Sequence, residues 1–155
     1  MLKVLCLSLA LALSSVARAD DIREASYGQV ADLATTAAAL ALGASEANPL
    51  GLLVIGAKYV AVKRIAAMPA VEQPQAWGIL SATGWGASAN NLCVVGSILT
   101  GGVSWPVCPL VGLLSGSIVW RSGREERERA TFDAICAEQR IANPGLVCVY
   151  TKPME

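Results

Sequence analysis

The feature that most constrains the fold is a stretch of 48 residues, Gln73 to Trp120, that contains no charged side chain. A membrane-spanning helix needs about 20 apolar residues, so the stretch is long enough for two crossings. Gly101-Gly102 is the strongest turn signal within it. We therefore predict one helix over roughly residues 75–100 and a second over roughly residues 105–120.

Two further helices are predicted before this stretch, over residues 26–44 and 50–68. Pro49 separates them, because proline disfavours a helical conformation in the residue before it. The alternative is a re-entrant hairpin that enters the bilayer and returns on the same side. Together the four segments predict an all-α fold, a small helical membrane bundle of about four spans in residues 20–120.

Residues 1–19 have the pattern of a secretory signal peptide. Lys3 provides a positive start, residues 4–13 are apolar, and Ala17 and Ala19 are the small residues that precede a cleavage site. An uncleaved anchor helix is the competing interpretation. Cleavage leaves 136 residues, enough for one small domain with an exported N-terminus.

The chain has no histidine, which removes the commonest general base and the usual zinc ligand sets. Without the signal peptide, 10 basic residues face 12 acidic ones, so no basic surface for nucleic acid is indicated. We therefore expect no enzyme activity, no cofactor and no metal site.

Four cysteines remain in the exported chain, and an exported chain often pairs them in disulfides. Three pairings are possible, and the simplest joins neighbours in sequence, Cys93 to Cys108 and Cys136 to Cys148. No two of them have the tight spacing typical of a metal site.

The C-terminal tail, residues 121–155, is highly charged. Its interleaved Glu and Arg residues predict an exposed helix with ion pairs one turn apart. Asn143-Pro144-Gly145 predicts a turn, and residues 146–150 a short extended segment that Cys148 would hold against the helix through Cys136.

The best functional candidates are polar residues inside the first two apolar segments. Asp32, Thr35 and Thr36 share one helical face, and Lys58 interrupts the second segment. Ionisable groups at bilayer depth usually pair or line a polar cavity. We therefore predict a buried Asp32–Lys58 ion pair; an ion or proton pathway and side chains that reach the lipid headgroups are the alternatives.

Four more polar residues complete the predicted cluster. Glu46 and Asn48 lie at the turn around Pro49, and Asn90 and Asn91 lie within the third segment. Hydrogen bonds between helices are the expected role of the two asparagines, and a polar pore lining is the alternative.

The pattern from Asp32-x-x-Thr35-Thr36 through Glu46-x-Asn48-Pro49 to Lys58 resembles uncharacterised small bacterial and phage integral membrane proteins. The resemblance covers about residues 32–58. It implies an integral membrane protein and no particular activity.

These observations predict a protein of a bacterial inner membrane that packs with itself or with a larger membrane complex. Four crossings from an exported N-terminus place the tail in the periplasm. This topology also places Lys63, Arg64 and the tail arginines outside, against the positive-inside tendency. A holin-like or glycine-zipper oligomer that permeabilises the membrane is the alternative function.

Overall fold

A computed structural model describes residues 21–43, 51–101 and 105–152. Within those ranges the chain forms α-helices and no strand, so the predicted all-α class is confirmed. The helices are α1 (Asp21–Ala41), α2 (Gly51–Ala66), α3 (Gln73–Leu99), α4 (Cys108–Ser122) and α5 (Arg124–Ala142). In the same ranges, no helix combines the length and the hydropathy that a membrane crossing needs. The predicted signal peptide lies outside the described residues.

The start of α4 differs from the prediction. Residues Trp105–Val107 form a 3₁₀ turn, and the α-helix begins three residues later than expected, at Cys108. Pro109 lies in the first turn of α4. An α-helix that began at Trp105 would bring the ring of Pro109 against the carbonyl of Trp105, four residues earlier. This steric conflict excludes the predicted helix start.

The long helix α3 is the centre of the molecule, because it packs along α1 on one side and along α4 on the other. Glycine allows both contacts to be close. A Cβ atom added at Gly84 would lie 2.7 Å from the backbone of Gly28 on α1, and one added at Gly112 would lie 2.8 Å from the carbonyl oxygen of Gly86. The helix backbones therefore touch at these glycines, a contact that small residues make possible.

A small apolar cluster joins the first three helices. Ala25 of α1, Ile65 of α2, and Trp77 and Leu80 of α3 are its buried members. This cluster fixes α2 against the N-terminal half of α3, which positions Lys58 near the middle of the bundle.

Large and small side chains are distributed in reverse of the usual order for a water-soluble bundle. Ser81, Ser88, Ser97 and Ser115 are buried between the helices. Large aliphatic side chains project outwards, among them Val30, Leu33, Ile79, Leu110, Leu113, Leu114 and Ile118. Apart from the cluster around Trp77 and Leu80, the helices thus contact one another mainly through small residues and present many of their larger apolar residues to the surroundings.

Both predicted disulfides are present, with Cα–Cα distances of 5.3 Å for Cys93–Cys108 and 6.1 Å for Cys136–Cys148. These distances lie in the normal range for a disulfide. The first bond ties α3 to the first residue of α4. The second holds the chain that follows α5 against that helix.

The tail folds back along α5 as the sequence predicts. The rings of Phe132 and Tyr150 meet edge to face with their centroids 5.4 Å apart. Lys152 and Glu125 form an ion pair of 2.6 Å. The segment after the turn is irregular rather than a strand.

Candidate functional site

The polar cluster of the structure is centred on Asp32, which α1 holds in a buried position facing α2 and α3. Lys58 Nζ of α2 donates a hydrogen bond to Asp32 Oδ2 and forms an ion pair with it. Asn91 Nδ2 of α3 donates to Asp32 Oδ1 over 2.9 Å. Both carboxylate oxygens therefore have partners, one on each neighbouring helix.

Asn91 connects the carboxylate to the threonines of α1. Its amide nitrogen also donates to Thr36 Oγ1 over 2.8 Å and lies 3.4 Å from Thr35 Oγ1. An amide NH₂ has two hydrogens, so the two shorter contacts, to Asp32 and Thr36, account for both. The Thr35 hydroxyl instead donates to the carbonyl of Ala31 over 2.8 Å, a bond within its own helix.

Asn90 lies beside this cluster but on another face of α3. Its amide nitrogen is 3.4 Å from Asn91 Oδ1, and its side chain lines a groove between α3 and α4. The two neighbouring asparagines thus connect the polar cluster with the groove.

The ion pair is largely but not fully shielded. The side chain of Asp32 keeps 12 % of its accessible surface, and that of Lys58 keeps 27 %. One acid and one base neutralise each other there, so the cluster adds no net charge. Its geometry is that of a connection among α1, α2 and α3.

The structure joins the predicted site residues Asp32, Thr36, Lys58 and Asn91 by hydrogen bonds, and polar atoms of Thr35 and Asn90 each lie 3.4 Å from the Asn91 side chain. Glu46 and Asn48 lie outside the described residues. Within the described ranges, no three His, Cys, Asp or Glu side chains come close enough to hold a metal ion.

Sequence reasoning missed Arg127, which the charged run assigned to a solvated helix face. Its side chain is 3 % exposed and passes over Gly78 of α3. The guanidinium lies 3.9 Å from the ring centroid of Trp120 and donates to the carbonyl of Trp120. The available signal was the spacing: Gly123 and Trp120 precede Arg127 by one and two helical turns and so share its face.

A second missed contact involves Gln29, whose amide nitrogen donates to the carbonyl of Leu80 over 2.8 Å. A Cβ atom at Gly84 would lie 2.5 Å from that same amide nitrogen. The absence of a side chain at Gly84 therefore makes room for the glutamine between α1 and α3.

An open groove of about 1200 Å³ lies between α3 and α4. Gly86, Gly112 and Gly116 form its floor, where the two helix backbones touch. The groove runs along the antiparallel helices α3 and α4, and its two ends are lined by different residues. Asn90 and Pro109 lie at one end, and arginines of α4 and α5 lie at the other.

No protein-family model, no curated protein and no solved structure matches this chain.

Proposed function

We propose that the protein is a non-catalytic helical protein of a bacterial inner membrane, which acts by packing with itself or with a larger membrane complex. The observation that supports this function best is the reversed distribution of side chains. Leu113 and Ile118 of α4 are 71 % and 61 % exposed, whereas Ser97 of α3 is 1 % exposed. Leu110, Leu113, Leu114 and Ile118 recur at helical spacing on α4, and an exposed apolar face of this kind is typical of a surface covered by lipid or by a partner.

The contacts between helices support the same proposal. In lipid, association of helices depends on close van der Waals packing and on hydrogen bonds between helices, rather than on burial of large apolar side chains. The contact between Gly86 and Gly112 provides the close van der Waals packing. The bonds from Asn91 to Asp32 and Thr36 are the hydrogen bonds between helices.

The polar cluster supports a packing role more than a catalytic one. A general acid or base needs a free proton site that faces a substrate. Lys58 and Asn91 occupy the two carboxylate oxygens of Asp32. The cluster would then hold α1, α2 and α3 together in the order that the proposed assembly requires.

The two disulfides support export, because disulfides persist in oxidising compartments such as the periplasm. Together with the predicted signal peptide, this argues for a periplasmic tail. The proposed partners are the lipid bilayer and other membrane helices.

The test of membrane integration is an alkaline carbonate wash of membranes from cells that express the full chain. We expect the mature protein to stay in the membrane pellet, and recovery in the soluble fraction would contradict the proposal. A photo-crosslinking amino acid at Leu113 should then capture a second copy or a membrane subunit. The same crosslinker at Glu138, an exposed residue of the polar helix α5, serves as the matched control.

A membrane-permeabilising oligomer is a second candidate, favoured by the position of Asn90 in a groove whose floor is glycine. Several copies that faced their Asn90 side chains to one another would place polar amides in a shared lining. Release of a trapped dye from vesicles on addition of the protein would favour this function. Intact vesicles, together with a crosslinked subunit, would favour the packing function.

A further inference from the structure

We infer that the groove between α3 and α4 binds one acyl chain of an anionic phospholipid, with the headgroup phosphate held by Arg121 and Arg124. The inference deepens the proposed function, since it names a lipid for a membrane protein. Lipid binding is measured on the purified full chain, separately from membrane integration.

The shape of the groove suits an acyl chain. Its floor is made by Gly86, Gly112 and Gly116, where helix backbones approach so closely that no side chain of either helix can fill the space. Ile79 and Leu113 stand on opposite walls, one from each helix. The result is a long apolar channel that is open on one side.

The length of the groove fits one leaflet. Pro109 to Trp120 along α4 spans about 17 Å at the rise of an α-helix. Half of the hydrocarbon thickness of a bilayer is about 15 Å. An acyl chain that entered beside Trp120 would therefore end near Pro109.

Charge identifies the headgroup. Arg121, Arg124 and Arg127 lie at one end of the groove, and Glu128 is the one acidic residue among its lining side chains. Arg121 is exposed, and no ion pair to it occurs within the described residues. Guanidinium groups bind phosphate oxygens through paired hydrogen bonds, so this end favours a headgroup with net negative charge.

The surroundings of the arginines are those of a membrane interface. Trp120 lines the same end, and indole rings favour the headgroup level. Arg124 is exposed and pairs with Glu128 over 2.7 Å, an exchangeable surface contact that a phosphate can replace. Arg127 packs on Trp120 and fixes the position of the ring.

The experiment is native mass spectrometry of the purified full chain in neutral detergent with phosphatidylglycerol or phosphatidylcholine of the same acyl chains. We expect the wild type to retain phosphatidylglycerol preferentially. The double variant R121Q/R124Q should bind it about tenfold more weakly, because charge-assisted bonds to phosphate are lost. The control R64Q/R129Q removes the same charge from exposed positions outside the groove and should leave binding within about twofold of wild type.

A second pair of variants tests the channel itself. Ser117→Trp fills the groove from its exposed wall, whereas Leu114→Trp adds the same ring on α4 outside the lining. We expect the first to reduce lipid retention and the second to leave it unchanged. Circular dichroism checks that both variants keep the wild-type helix content.

Three outcomes would overturn the inference. They are equal retention of the two lipids, an equal loss in the R64Q/R129Q control, or a Ser117→Trp variant that changes the oligomeric state with lipid retention intact. The last would make the groove a contact between copies. Carbonate extraction is measured on the same variants, so failure of membrane integration is recorded separately from failure of lipid binding.

Discussion

At the scale of single residues, the Asp32 carboxylate decides how the first three helices meet. Lys58 and Asn91 bind its two oxygens from two different helices. If one partner is removed, the remaining polar group stays shielded from water without its full set of hydrogen bonds. The free-energy cost of this exceeds what the intact pair contributes to stability. This asymmetry makes the contact measurable by double-mutant cycles.

We predict that Asp32→Ala or Lys58→Met alone lowers the free energy of unfolding in detergent by about 2–4 kcal/mol, somewhat below the value for a fully buried pair. The double variant should recover part of the loss, because no charge is stranded. Lys63→Met, an exposed lysine on the same helix, is the control and should have little effect. Purely additive effects in chemical unfolding would show that the two residues act independently.

Asn91 should matter more than its neighbour Asn90. Asn91→Leu removes the donors to Asp32 and Thr36, with an expected loss of about 1–3 kcal/mol. Asn90→Leu changes a side chain of the groove whose amide nitrogen lies 3.4 Å from Asn91 Oδ1, so its effect should be smaller. Thermal unfolding of the two variants, followed by circular dichroism, compares them directly. Equal losses would place Asn90 in the cluster as well.

The sequence predicts part of this site for a physical reason. An acid and a base in neighbouring apolar segments are expected to pair, because neither has another strong opposite-charge partner nearby in sequence except Glu46 for Lys58. The choice of Asn91 over Asn90 depends on how α3 is rotated against α1. That rotation follows from the close approach of Gly28 and Gly84, which no local pattern reveals.

At the scale of helices, the crossing of α3 and α4 is set by backbone contact. A Cβ atom at Gly112 would meet the Gly86 carbonyl oxygen at 2.8 Å and Asn90 Cβ at 3.0 Å. Neither atom belongs to the end of a flexible side chain, so the helices would have to separate. The sequence predicted the ends of α2 and α3 to within about two residues, whereas α1 and α4 begin at residues other than those predicted, and the exact crossing was not predictable.

We predict that Gly112→Ala lowers the free energy of unfolding by about 1–3 kcal/mol through this steric conflict. Gly96→Ala on α3 is the matched control, since a Cβ atom there meets nothing within 4 Å. The control should be neutral or stabilising by up to about 1 kcal/mol, because alanine favours the helix over glycine. Chemical unfolding measures both, and a neutral Gly112→Ala would contradict the close crossing.

At the scale of the whole molecule, the two disulfides stabilise two different parts of the chain. Cys93–Cys108 closes the hairpin of α3 and α4, and Cys136–Cys148 closes the tail on α5. Both pairs are neighbours in sequence, so their partners were predictable without knowledge of the fold. The burial of Arg127 was not predicted from the sequence, because it depends on the packing of α5 against α3.

We predict that all four thiols of Cys93, Cys108, Cys136 and Cys148 resist alkylation in exported protein that has not been reduced. Each bond should stabilise its loop by about 3 kcal/mol in the chain-entropy model. Peptide mapping after alkylation provides the measurement, and protein expressed without residues 1–19 provides the control. Reactive cysteines in the exported protein would contradict the pairing.

If the chain is exported as proposed, the positions of the two disulfides also restrict when each bond can form. Cys93–Cys108 lies at the loop end of the α3–α4 hairpin, and α5, which carries Cys136, joins the hairpin at the opposite end, where Arg127 meets Gly78. In the proposed membrane protein the two bonds would lie at different depths, and an inner membrane has one reducing side. Oxidation of both pairs would then require that the hairpin be translocated and oxidised before it enters the bilayer. For that protein we expect insertion from the periplasmic side, rather than lateral release from the export channel during synthesis.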